Sequence, residues 1–156
     1  MPVSDEAKAL LDHLYAAHRR LDHRVSALDE ELRALVPGAP LDTVGQRLGE
    51  LRQQLLDHFR EEEEGGCLEE AVCRCPTQGA KLAVLEREHG NLVARLDELV
   101  DHCRPDSTCT APGGKAASLL LDFGAWMEAL RTHEQAENEL LALAFGVSWP
   151  VEDPLD

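Results

Sequence analysis

The sequence predicts an all-α fold, an antiparallel up-down-up-down four-helix bundle, and three observations predict it. Leu supplies 26 of the 156 residues, Ile is absent and aromatics make up 4%. That mix favours helix, because strands draw on β-branched and aromatic residues. Four long stretches carry apolar residues at alternating spacings of three and four, the period of one helix face. Clusters of Pro and Gly separate those stretches. The length suits one domain, 1–156, with a core from about 5 to 145 and a tail from 146 to 156.

The first helix is predicted from about Asp5 to Val36, where Pro37-Gly38-Ala39-Pro40 stops it. Its inward face reads Leu11, Leu14, His18, Leu21, Val25, Leu28, Leu32, Leu35. The second starts near Leu41 and runs through the acidic residues Glu61 to Glu64, with Val44, Leu48, Leu51, Leu55, His58 and Glu62 on one face. Gly65-Gly66 breaks it, and CLEEAVCRC adds a short helical piece before a turn at Pro76 to Gly79. The third spans about Ala80 to Cys103, with Leu82, Leu85, His89, Leu92, Leu96, Leu99 and Cys103 inward. Residues 104–114, RPDSTCTAPGG, are loop by composition. The fourth runs from about Lys115 to Phe145 and turns Leu119, Phe123, Trp126, Leu130, His133, Glu137, Leu140 and Ala144 inward. The tail GVSWPVEDPLD is expected to be irregular, with Trp149 packed back on the bundle. A short first connection supports the up-down start.

Charge narrows the classes of partner. The formal net charge is −15 and the sequence pI about 4.7, which argues against nucleic acid or an anionic membrane. No apolar run approaches the roughly 20 residues a spanning helix needs. MPVSDEAKALL lacks a basic segment followed by an apolar one, so a cytoplasmic protein is expected. The five cysteines, Cys67, Cys73, Cys75, Cys103 and Cys109, are odd in number and form no CxxC pair, so reduced thiols are expected. Cys103 and Cys109 flank a loop and would pair only under oxidation. Cys67, Cys73 and Cys75 lack a fourth ligand for zinc.

What interrupts the apolar stripes carries the chemistry. Each long helix places one His inward, and two add a Glu four residues on, His58/Glu62 and His133/Glu137. Residues four apart point the same way on a helix. His18 and His58 each lie about 20 residues from the first turn, at 1.5 Å per residue a matching height, whereas His13 and His23 miss that level by about 7 Å. His89 and His133 likewise lie at comparable distances from the 104–114 loop. His13, His23 and His102 fall off the stripes and are expected in solvent. A single core His is usually a satisfied side chain, but two buried carboxylates among four imidazoles need a cation or a dense hydrogen-bond network. A His and carboxylate donor set without thiolate suits iron, with manganese second. Two bridging carboxylates and four terminal imidazoles describe a dinuclear centre. The candidate metal ligands are therefore His18, His58, Glu62, His89, His133 and Glu137.

These residues resemble the hemerythrin/HHE cation-binding family across almost the whole chain. HFREEEE at 58–64 is similar to its H-F-x-x-E-E signature, AHRRLDHRV at 17–25 to its first-helix segment, EREHGNL at 86–92 to E-H-x-x-L and RTHEQAENELL at 131–141 to the closing H-x-x-x-E. The resemblance implies a bundle holding two non-haem irons, with the four His as ligands and Glu62 and Glu137 as bridges. Oxygen-carrying members add a fifth His one turn from the third-helix ligand; here those positions are Leu85 and Val93. The chain therefore resembles the non-carrier branch, with one iron more open to a small diatomic ligand or peroxide. Tyr15, one turn before His18, reads either as a ligand or hydrogen-bond donor, or as a rim residue. Glu61, Glu63 and Glu64 read as a solvated face, from which Glu63 can still orient a ligand. Glu88, about 100° round from His89, reads as a surface charge. The expected function is binding or sensing of oxygen, nitric oxide, peroxide or iron. The alternatives are a di-iron redox enzyme on the same site and a metal-free helical interaction module.

Overall fold

The structure, a computed structural model, describes residues 4–146. Among these the fold is all-helical, with four long helices and one short one. Helix α1 (Asp5–Arg33) opens on Ser4, whose hydroxyl accepts the Ala7 N–H at 3.2 Å. Asp5 and Glu6 in its first turn and Arg33 in its last complement the helix dipole. It ends three residues short of Val36. Pro37 biases Val36 away from helical geometry, and at 65% exposure that side chain, outside the inward stripe, has no packing to hold it helical.

Helix α2 (Asp42–Glu64) stops at Gly65, and Gly66 takes φ 79°, a left-handed turn that suits glycine, to lead into α3 (Cys67–Arg74). The short piece expected in CLEEAVCRC is this α3. A single 3-10 turn, Pro76–Gln78, leads into α4 (Gly79–His102), and α5 (Gly114–Phe145) follows the expected loop. Trp149 and the expected irregular tail lie outside the described residues. Among the described residues, no helix is long and apolar enough to cross a membrane.

The long helices form a ring: α1 packs on α2 and α5, and α4 packs on α2 and α5, while α3 lies against α2 and α5. The stripes turn inward as the spacing requires. Leu35, Leu82 and Ala144, at the outer ends of their stripes, are only partly buried. The apolar core is divided in two. The larger part includes Leu21, Val25, Leu48, Leu51, Leu96, Phe123, Trp126 and Leu130. The smaller gathers Leu11, Leu14, Leu68, Ala71, Leu85, Leu140 and Phe145 around α3. Trp126 satisfies its indole N–H on Leu92 O at 2.9 Å, so this large side chain is buried without a polar cost. Between the two parts lies a layer of buried His and Glu.

Candidate metal centre

All six candidate ligands are buried in that layer. His18, His58, Glu62 and Glu137 bring donor atoms within 4.8 Å of one another, and so do Glu62, His89, His133 and Glu137. The two carboxylates are common to both groups. His18 and His58 meet edge to face at 4.9 Å, and His89 and His133 repeat that arrangement at 4.9 Å.

The carboxylates divide their oxygens between the two imidazole pairs. Glu62 Oε1 lies 3.1 Å from His18 Nε2 and 2.5 Å from His58 Nε2, while its Oε2 lies 3.3 Å from His89 Nε2. Glu137 Oε1 lies 3.1 Å from His89 Nε2 and 2.7 Å from His133 Nε2, while its Oε2 lies 3.5 Å from His18 Nε2. The i, i+4 spacing on α2 and α5 produces the two closest contacts.

Charge is shared strongly across this layer. Burial alone would lower the His18 and His89 pKa values, but the hydrogen bonds they donate to Glu137 and Glu62 outweigh it and raise both from 6.5 to about 10. His133 is raised too: burial opposes, and Glu137 and Glu88 prevail. Burial acts to raise Glu62, yet His18, His58 and His89 hold it well below the usual carboxylate range. Glu137 is lowered despite burial and the nearby Glu62 charge, through His133, His18 and His89.

Even so, the short contacts of His58 Nε2 and His133 Nε2 with the carboxylates of their own helices are not aligned as hydrogen bonds, and Glu62 Oε2 and Glu137 Oε2 have no aligned donor. Each unsatisfied buried group costs about 1–3 kcal/mol, more when charged. A cation in the shared space would satisfy all four with the imidazole and carboxylate donors that iron or manganese prefer. The residues present therefore fit such an ion.

Behind the ligands stand side chains that stripe reading placed elsewhere. His89 Nδ1 donates to Glu63 Oε1 at 2.9 Å, the orienting role open to Glu63. His133 Nδ1 donates to Glu88 Oε2 at 2.7 Å, which corrects the reading of Glu88 as a surface charge. The same rotation that turns Glu88 away from His89 turns it towards α5. Phe59 stacks on His89 with ring centres 3.9 Å apart and planes 6° from parallel; its signal in sequence was its place in HFREEEE, where no partner was assigned to it. Glu134 is buried as well, and no stripe marked it.

Of the remaining histidines, His13 and His23 are exposed as expected, but His102 is half-buried with Nε2 shielded from solvent, because it closes α4 beside the packed Cys103. Tyr15 packs on the smaller core with its hydroxyl buried, and burial, with Cys67 and Asp12 nearby, raises its pKa. All five cysteines are free thiols, and Cys67 and Cys103 are buried.

A helical ring whose interior layer joins four His to two shared Glu defines a class: bundles whose core is compatible with a metal-binding site. The hemerythrin HHE cation binding domain matches the chain over residues 9–144, and the chain belongs to that family. Curated proteins and solved structures give no significant match.

Proposed function

We propose that this chain is an up-down-up-down bundle that holds two non-haem iron ions, with manganese second. There it binds or senses oxygen, nitric oxide, peroxide or iron itself. His18 and His58 hold one ion, His89 and His133 the other, and Glu62 and Glu137 bridge them. The observation that carries the reading is the division of each carboxylate, one oxygen towards each imidazole pair. A buried hydrogen-bond network has no need of that symmetry.

Bound iron supplies a redox-active Lewis acid with exchangeable positions. The chain's own part is to hold and shield it. Leu85, one turn before His89, is buried and offers no donor, so four imidazoles are all that the stripes provide. Phe59 fixes the plane of the His89 ring, and Glu63 and Glu88 fix the tautomers of His89 and His133 so that Nε2 faces inward. The apolar core on either side limits water. Free thiols throughout are consistent with work in the reducing cytoplasm.

The test is a metal count with an optical spectrum after anaerobic reconstitution. About two irons per chain are expected, with charge-transfer absorption that appears in air, bleaches on reduction and returns. Melting unchanged by iron and by chelator would sink the reading, because an ion bound only by the folded state must stabilise it.

A further inference from the structure

We propose that metal ions reach this centre through one cleft, between the start of α1 and the α2–α3 corner, and that Glu61 and Glu64 at its mouth draw them in. The proposal rests on the metal-binding reading above and adds a route to it.

The cleft encloses about 360 Å³ and has Glu62 in its lining. His13, Glu61 and Glu64 stand at its mouth, with His13 Nε2 3.4 Å from Glu61 Oε2 and both side chains well exposed. Leu14 and Leu68 form apolar walls below them. The Glu62 side chain has no exposed surface, and its Oε2 makes no hydrogen bond. Solvent-exposed carboxylates thus stand at a cleft lined by Glu62, whose buried side chain turns to the imidazoles behind it and keeps one oxygen with capacity to spare.

A cation leaving water needs replacement donors along its path. The mouth offers imidazole and carboxylate, the same donor types as the centre. Glu62 is also the right first residue to meet, because its two oxygens face different imidazole pairs and an arriving ion can pass to either.

A second opening, a groove of about 520 Å³ between α4 and α5, reaches the layer at His133. Glu88 and Glu128 line it too, but it is the poorer path for a cation, since Glu88 is already engaged by His133. Arg95 lies in its lining, and the His133 nitrogen bonded to Glu88 is Nδ1, which carries a proton there and presents no lone pair. A carboxylate only accepts, so that assignment follows from its chemistry.

Stopped-flow mixing of the metal-free full chain with Co²⁺, followed by ligand-field absorption, tests the route. The Glu61→Gln/Glu64→Gln double variant should load about ten-fold more slowly at low salt, with a flatter salt dependence and unchanged cobalt bound at equilibrium. Leu10→Trp, at a partly exposed position lining the cleft, should slow loading at every salt concentration. Glu128→Gln and Arg95→Gln, in the other groove, should load at the parent rate. The route is overturned if the double variant keeps the parent rate, if Glu128→Gln slows loading as much, or if the double variant loses bound cobalt at equilibrium. A parent chain that binds no cobalt at all would overturn the metal-binding reading instead.

Discussion

The imidazoles of His89 and His133 each rest against a carboxylate outside the centre, Glu63 and Glu88, whereas His58 Nδ1 is buried without a hydrogen-bond partner and His18 faces the buried Glu134. The inward contacts of the two pairs are nearly alike. Their supports differ. An outer carboxylate fixes the tautomer of a ligating His and raises its basicity. The α4/α5 pair is therefore the better prepared of the two, although Glu63 and Glu88 are 46% and 41% exposed and solvent screens part of their effect.

The largest expected effect separates what the pairs share from what each owns. Glu62→Ala or Glu137→Ala removes a bridge from both halves, and metal content after reconstitution should fall from about two ions per chain to near none. His58→Ala or His133→Ala removes a ligand from one half, and content should fall to about one. Two ions retained in Glu137→Ala would break the description of a shared carboxylate.

Next in size is the support itself. Glu88→Ala should weaken metal binding at the His89/His133 half about 10–100-fold, with the other half unchanged, and Glu88→Gln should recover part of the loss because it still accepts from Nδ1. Calorimetric titration of the two binding steps measures this. Equal loss at both steps would show that Glu88 acts on the fold and not on its own half.

The metal-free chain should also lose stability as pH rises. His18 and His89 titrate near 10 in the fold against 6.5 ordinarily, so their contribution is complete below about pH 6.5 and drains away as pH climbs through 10. Glu62 and Glu137, lowered in the fold, act at the other end: their contribution stands above about pH 4.5 and is lost as pH falls through their folded values. Bound metal takes imidazole in its neutral form, so loading should release protons and flatten the alkaline decline. Melting at pH 6.5, 8 and 9.5, with and without iron, reads the difference. Parallel curves would contradict it.

How much of this was legible in sequence depends on whether a period carried it. The six inward residues were, because i and i+4 must share a helix face, and the rise per residue ranks His18 above His13 and His23. The end of α1 lies earlier than expected because Pro37 marks where a helix must have stopped, and the exposed Val36 just before it has no packing to extend the helix that far. Glu88 and Glu134 were not legible. Each lies one residue from a ligand, and its role depends on which neighbouring helix stands at that angle. Helix α5 is packed by α1, α3 and α4, so more than one of its faces is inward and a single stripe describes it incompletely.

Glu134 provides the smallest expected effect on metal binding and the most discriminating one. Burial raises its pKa most; His18 pulls it down, and Asp22 and Glu137 push it up again, to about 9. At neutral pH it is therefore an uncharged acid beside His18, unlike the carboxylates behind His89 and His133. In the fold Glu134→Gln replaces one neutral, similarly shaped group by another, so metal affinity at both halves should stay within about 0.5 kcal/mol of the parent, while melting at pH 7 should rise, because the parent's Glu134 must ionise on unfolding and Gln need not. The variant should also lose the part of the parent's decline that runs from about pH 4.5 to 9, where unfolding of the parent releases a proton that Gln does not hold. If Glu134→Gln weakens the His18/His58 half as much as Glu88→Gln weakens the other, Glu134 is charged in the loaded protein and both pairs are supported alike.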